Sequence, residues 1–299
     1  VTTVYSRPAE RVLFESLRDA NPFFHLFEAL HMLAGRKDLA FLEQFLPRFK
    51  DFSDDGVTLQ GAYGYRWRHQ FEFDQIERVV TLLRQNVASR RAILQMWDPR
   101  TDLRTDEALK DVPCNQQAIF WNLAGRLQMQ VNCRSNDICL GAYGANAVHF
   151  AFLQEYVAAQ LGLEIGTYYQ VSTNWHAYLD LYNKLRPLAS ADPAPCPYAR
   201  GEVTPYPVVD DPAAWDRDLA LFLEDPRAYG FVNRWFARVA KPMWFAHLAH
   251  KRHAYVNALE IISECEATDW RRAATEWLQR RQVTWQARRK REMAEERLL

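Results

Sequence analysis

A thiol, three arginines and a lone carboxylate have the types and spacing for covalent chemistry on a small anionic ligand. Between residues 111 and 178 lie Cys114 directly after Pro113, Arg134-Ser135 followed by Asp137, and His176-x-Tyr178. A thiolate is a strong nucleophile where nearby positive charge favours it. Arg90, Arg91 and Arg134 are the candidate sources of that charge. The planar arginine fork also suits a phosphate dianion. Glu28 sits inside an apolar run, and a buried carboxylate needs a partner or a job. Each residue has an ordinary alternative. A cysteine is most often a small buried hydrophobe, adjacent arginines usually face solvent, and Glu28 could be satisfied or edge-exposed.

The elements around these residues must position them. Asn21-Pro22 followed by Phe23, Phe24, Leu26, Phe27, Leu30 and Leu33 predicts a buried, Asn-capped helix ending at Gly35. A second short helix is expected over 38–46, and a polar loop over 51–64 leads into Tyr63-Gly-Tyr-Arg-Trp-Arg68. Helical spacing returns over 74–85, and 92–97 reads as a buried strand. Strands 118–121 and 127–133 flank Ala124-Gly125 as a hairpin. In the second, Leu127, Met129, Val131 and Cys133 share one face, with Gln128, Gln130, Asn132 and Arg134 on the other. A helix over 147–161 stops at Gly162, and 167–171 is a strand. The stretch 187–212 is proline-dense and irregular. From Trp215 the pattern is helical, becoming charge-dense over 280–297.

With 299 residues, 48% hydrophobic and 25% charged, the chain reads as soluble and globular. Residues 1–186 form the expected catalytic core, and 187–299 an excursion plus a helical part of the same domain. Thirty-seven basic and 37 acidic residues cancel, which argues against a generally basic nucleic-acid binder. Apolar runs break before membrane-span length and the start lacks a signal pattern, so a cytoplasmic protein is expected. Five cysteines without paired spacing fit a reducing compartment, and none has metal-ligand spacing.

The sequence resembles the thymidylate synthase superfamily, which includes pyrimidine nucleotide hydroxymethylases. The resemblance rests on Glu28, Tyr63-Gly-x-x-Trp67-Arg, Asp74-Gln-Ile, Ser89-Arg-Arg, Pro113-Cys114, Arg134-Ser-x-Asp137, Gly141…Asn146 and His176-x-Tyr178. Gly-Ala-Tyr-Gly-Ala-Asn-Ala-Val-His-Phe, from Gly141, is similar to the phage-type branch. It implies an α+β fold: a large twisted mixed sheet with helices on one face, the other face pairing in a homodimer with shared active sites. It also implies that Cys114 adds to C6 of a pyrimidine nucleoside monophosphate, and that C5 then takes a carbon from 5,10-methylenetetrahydrofolate. Glu28 and Tyr63 would move protons. Arg7, Arg134 and Ser135 would hold the phosphate, with Arg90 and Arg91 reaching in from the other subunit. His176 and Tyr178 would bind the sugar, Asp137 would face the folate, and Asn146 would read the base.

Departures from the synthase pattern bear on the product. Asn115 stands where synthases have histidine, Cys133 where they have glutamine, and Asn174 where they have aspartate. Phe49 and Phe52 take the place of tryptophans against the folate, and a charged helix stands where an apolar closing tail is expected. A site less sealed against water favours hydroxymethylation of dUMP. Methylation to dTMP and hydroxymethylation of dCMP or CMP are the alternatives. Asn146, one residue farther from Gly141 than the family spacing, points to uracil, because an amide both donates and accepts; a structural helix cap is its alternative. A binding module for nucleic acid or a partner, using the basic terminal helix, is the non-enzymatic reading. It would not need the cysteine, arginine, serine, glutamate and tyrosine together.

Overall fold

The computed structural model describes residues 1–105, 109–187 and 196–296. After strand β1 (Thr2–Tyr5), Asn21 accepts the N–H groups of Phe23 and Phe24 at 3.1 and 3.2 Å and so starts α1 (Pro22–Leu33). Then come α2 (Leu39–Glu43), α3 (Tyr63–Arg68), and α4 (Gln75–Gln85), which Asp74 caps by accepting the Glu77 N–H at 3.0 Å. Strand β2 (Ile93–Gln95) and the short α5 (Pro99–Asp102) lead to the hairpin of β3 (Asn115–Leu123) and β4 (Arg126–Asp137). Its turn residues Ala124 and Gly125 have φ of +52° and +80°, the left-handed pair that a two-residue hairpin turn requires. Helix α6 (Asn146–Leu161), strand β5 (Glu164–His176) and α7 (Leu179–Leu185) follow. An irregular stretch over 196–214 precedes the helical end, α8 (Trp215–Glu224), α9 (Lys241–Lys251), α10 (Tyr255–Ser263) and α11 (Thr268–Glu296).

The five strands run in the order β1-β5-β4-β3-β2. The β4–β5 pair is parallel and the others antiparallel, giving a mixed sheet. Period-two alternation separates its faces. Ala118, Phe120, Leu127, Met129, Val131 and Tyr168 are buried on one face, where α6 packs on β4 and β5. Helix α6 is buried nearly all round, because α1 covers its far side. Its buried Gln154 donates through Nε2 to the Leu127 carbonyl at 2.8 Å, while its Oε1 is buried without a hydrogen-bond partner.

Local signals failed where tertiary contacts decide. The loop expected over 51–64 gives way at Tyr63 to α3 (Tyr63–Arg68), a helix without a side-chain cap for which no element was expected. Burial of Arg66 holds it. The guanidinium, 0% exposed, donates to Asp102 at 2.6 and 2.7 Å and to the Met96 and Gln60 carbonyls at 2.7 and 2.8 Å. Gly64 lets α3 touch α1: a Cβ there would lie 2.0 Å from the Met32 carbonyl oxygen. The second helix is shorter than 38–46, and β5 runs well beyond 167–171 because β4 pairs along its length. Asn146 is not a cap. It lies inside the first turn of α6, and Ala145 holds the cap position. Part of the proline-dense stretch, 188–195, and the chain end, 297–299, lie outside the described residues.

Arg66→Met should leave Asp102 charged and unpaired in the core, costing about 3–5 kcal/mol. Thermal unfolding should then show a melting point lower by roughly 10 °C. A melting point unchanged to within about 2 °C would show that this pair does not hold α3.

Candidate active site

Helix α3 places Tyr63 beneath the start of β3. The Tyr63 hydroxyl oxygen accepts the backbone N–H groups of Cys114 and Asn115, each at 3.2 Å. Burial pushes the phenol pKa up, so the hydroxyl keeps its own proton. Across the hairpin, the Arg134 N–H donates to the Cys114 carbonyl at 2.8 Å. The Arg134 guanidinium donates to the Pro113 and Val112 carbonyls at 3.0 Å, holding the segment that delivers the thiol. Burial raises the Cys114 pKa; Arg134 opposes that rise and Asp111 adds to it. The expectation of a thiol activated by surrounding arginines is therefore not met in this chain alone. One arginine acts, and burial outweighs it.

Glu28 faces the same space from α1. Burial, then Asp111, raises its pKa to about 8, so the protonated acid prevails at neutral pH. Its Oε2 lies 3.3 Å from Nε2 of His149, a buried histidine on α6. Burial lowers the His149 pKa to about 3, while a hydrogen bond to the His25 backbone opposes the shift. His149 Nε2 is buried, makes no hydrogen bond and stands against the Glu28 carboxyl. Asp111, close by, accepts the Gly61 N–H at 2.8 Å. His149 stands in the motif from Gly141 to Phe150, three residues after Asn146 on the same helix face, but the motif gave it no role.

Beside these groups lies a cavity of about 440 Å³, with Asp111 in its lining. Glu28, Tyr63, Cys114 and Tyr178 line it, and so do Phe49 and Phe52, whose rings meet edge to face at 5.8 Å. Phe52 is 56% exposed and Tyr178 59%, so both present aromatic surface to solvent. The remaining expected residues lie elsewhere. Arg7 is exposed and paired with Glu10 at 2.9 Å, and Arg90 and Arg91 are exposed just before β2. Asp137 is buried and accepts the N–H groups of Cys139, Leu140 and Tyr178 at 2.6–3.0 Å. Its carboxylate orients the backbone that carries Tyr178. Ser135 and Asn174 are paired across β4 and β5, two residues before Asp137 and His176 pair. The His176 ring stands edge to face with Tyr178 at 5.4 Å.

Behind Cys114 runs a set of amides that the sequence did not single out as a unit. Asn115 donates to Asn146, and Asn146 donates to Asn136, each at 3.1 Å. Gln170 donates to Asn115 at 3.1 Å, and Asn136 to the Ser172 hydroxyl at 2.9 Å. Only the alternation of β5 hinted at it, since Gln170 and Ser172 share the core-facing side with Tyr168.

Among the described residues no helix is long and apolar enough to cross a membrane. No group of three or more metal-ligating side chains is assembled among them either. A model of the thymidylate synthase family matches residues 22–205. The chain is 49% identical to a deoxyuridylate hydroxymethyltransferase of Pseudomonas phage M6, over 98% of this chain and 87% of that protein. Identity is 36% to a deoxyuridylate hydroxymethyltransferase of Bacillus phage SP01, over 60% of this chain and 49% of the relative. It is 37% to a putative thymidylate synthase of Methanothermobacter marburgensis, over 48% of this chain and 60% of the relative. With the family match spanning most of the chain, and the phage M6 relative aligning along nearly all of it, this protein belongs to the thymidylate synthase family.

Proposed function

We propose that the protein transfers a one-carbon unit to C5 of dUMP and releases it as a hydroxymethyl group. The observation that carries this reading is the cavity in which Cys114, Tyr63 and Glu28 stand together, with burial raising the Glu28 pKa. The phage M6 relative, named for hydroxymethyl transfer to deoxyuridylate, supports the same substrate and product. Cys114 gives its proton to the water network as its Sγ adds to C6 of the ring, which makes C5 nucleophilic; C5 later gives up its own proton to that network and Sγ leaves C6, restoring the ring double bond. Glu28 supplies a proton at the ring carbonyl oxygen and, once ionised, takes one from the attacking water. Tyr63 fixes the thiol's backbone and keeps a hydroxyl proton for the water network. Methylenetetrahydrofolate, when bound, supplies the one-carbon unit. Phe49 and Phe52 form an aromatic wall that fits a flat pterin, and Asp137, by holding Tyr178, shapes the same side. Arg134, Ser135 and Arg7 serve the phosphate, His176 and Tyr178 the sugar, and Asn146 the uracil edge.

The reading includes a homodimer formed by the uncovered sheet face. Ile93, Ile119, Gln130, Tyr169 and Val4 pair in register as one row across that face. Ile93 and Val4 are 44% and 55% exposed, and Trp121 stacks on Tyr169 at 6.0 Å. Such a row is apolar surface in want of a partner. Arg90 and Arg91 precede Ile93, separated from it by Ala92, so a partner packed on this face would bring them to the neighbouring phosphate site.

Mass spectrometry of a reaction with dUMP and methylenetetrahydrofolate should find 5-hydroxymethyl-dUMP together with tetrahydrofolate, and Cys114→Ser should abolish both. Formation of dTMP with stoichiometric dihydrofolate would make the protein a synthase. Arg90→Ala and Cys114→Ala proteins, each inactive, should regain about a quarter of wild-type turnover when randomly paired as dimers. Mixtures with verified subunit exchange and no turnover would refute the shared site.

A further inference from the structure

Removing the C5 proton beside a ring carbonyl needs an acid at the carbonyl oxygen and a base at the carbon. Glu28 supplies the acid in the reading proposed above, on which this inference rests, but the water network that takes the C5 proton still needs an acceptor. Tyr63 is not one. Its oxygen already accepts the backbone N–H groups of Cys114 and Asn115, and burial pushes its pKa up. Among the other described residues lining the cavity, Arg36 and Lys110 are cations, and Asp111 spends an oxygen on the Gly61 N–H at 2.8 Å. One imidazole remains in that lining, His31.

We propose that His31 is the base that receives the C5 proton through a water of the cavity. It lies on α1 three residues after Glu28, one turn along the same face, and both line the cavity with Cys114. His31 Nε2 stands 3.0 Å from the Asp38 backbone carbonyl oxygen. A carbonyl only accepts, so Nε2 carries the hydrogen there, and Nδ1 of the uncharged ring keeps a lone pair for the cavity. Asp38 Oδ1 is 3.5 Å from the same Nε2, and the Arg36 fork donates to the two Asp38 oxygens at 2.6 and 2.7 Å. The carbonyl fixes the tautomer, and the carboxylate becomes a counter-ion once the ring takes a proton. The ring is 2% exposed and stacks on Phe41 at 5.7 Å, which sets its plane. In the step, the C5–H bond breaks and its electron pair moves into the C4–C5 bond. O4 takes the Glu28 proton as the C5 proton crosses one water to Nδ1. Burial raises the Glu28 pKa to about 8 and keeps that acid supplied with its proton. His31 returns its proton to the network as the site empties.

The test follows the C5 hydrogen in the full chain, with C5-labelled dUMP and methylenetetrahydrofolate. His31→Gln keeps a donor for the Asp38 carbonyl but takes no proton, and should slow tritium release from C5 roughly a hundredfold in single turnovers. Its Kd for dUMP, by calorimetry, should stay within about threefold of wild type. With C5-deuterated dUMP the isotope effect on turnover should rise in the variant, because C5–H cleavage becomes the slow step. A merely structural residue would weaken dUMP binding and leave the isotope effect where it was. Asp38→Asn keeps the backbone carbonyl and removes the counter-ion. It should slow release roughly tenfold with the same rise in isotope effect, and it carries the test if the glutamine variant does not fold. Release within about threefold of wild type in both variants overturns the proposal, as does slower release with an unchanged isotope effect. A wild-type protein that releases no tritium from dUMP would instead overturn the proposed transfer to C5, and the role of His31 with it.

Discussion

One tyrosine oxygen joins the two halves of the site. By accepting the N–H groups of Cys114 and Asn115 at 3.2 Å, Tyr63 ties α3 to the first residue of β3. Everything on that strand end then has a fixed height above the sheet: the thiol, the Asn115 amide and, through it, Asn146. The tie is only as firm as α3 itself. Three residues on, the fully buried Arg66 spends its donors on Asp102 and two carbonyls. A charge so placed is costly to bury, but its pairing is complete, and complete pairing specifies one geometry. A six-residue helix with no cap is thereby made rigid enough to position a nucleophile.

The electrostatics of the cavity follow from dryness more than from charge. Burial raises Glu28 and Cys114 and lowers His149, so each shift favours the neutral form, and Glu28 is the group whose prevailing state at neutral pH it changes. A neutral thiol and a neutral acid suit a site that waits for its anionic ligand. In the proposed dimer the charge that would favour the thiolate comes from arginines of the second subunit, and the phosphate dianion would offset part of it. Arg90 and Arg91, exposed before β2, have no such role in a single chain. A cavity walled by Phe49 and Phe52, with Phe52 open to solvent, also leaves water a route to the reacting carbon.

What could be read from sequence was what local physics dictates. Asn21 capped its helix, the Ala124-Gly125 turn closed its hairpin, Gly162 ended α6 in the left-handed region, and strand alternation separated buried from open faces. Cys114, Glu28 and Tyr63 were legible because a nucleophile, an isolated carboxylate and an ordered set of motifs stand out in a linear text. Helix α3 was not, because its stability lies in Arg66 reaching Asp102, thirty-six positions away. Nor was His149, which means nothing until α1 and α6 pack face to face. The amide run joins residues from β3, β4, α6 and β5, and each asparagine or glutamine alone looks like ordinary polar surface.

The central claim is that burial keeps Glu28 protonated beside a neutral His149 until the reaction needs its base form. Isotope-edited infrared difference spectroscopy on protein with labelled glutamate, with Glu28→Gln as the reference, observes that proton directly. The account predicts a protonated carboxyl signal that is absent from the reference and titrates near pH 8. A Glu28 signal that is already that of a carboxylate at neutral pH, titrating near the ordinary value of 4.5, would contradict it.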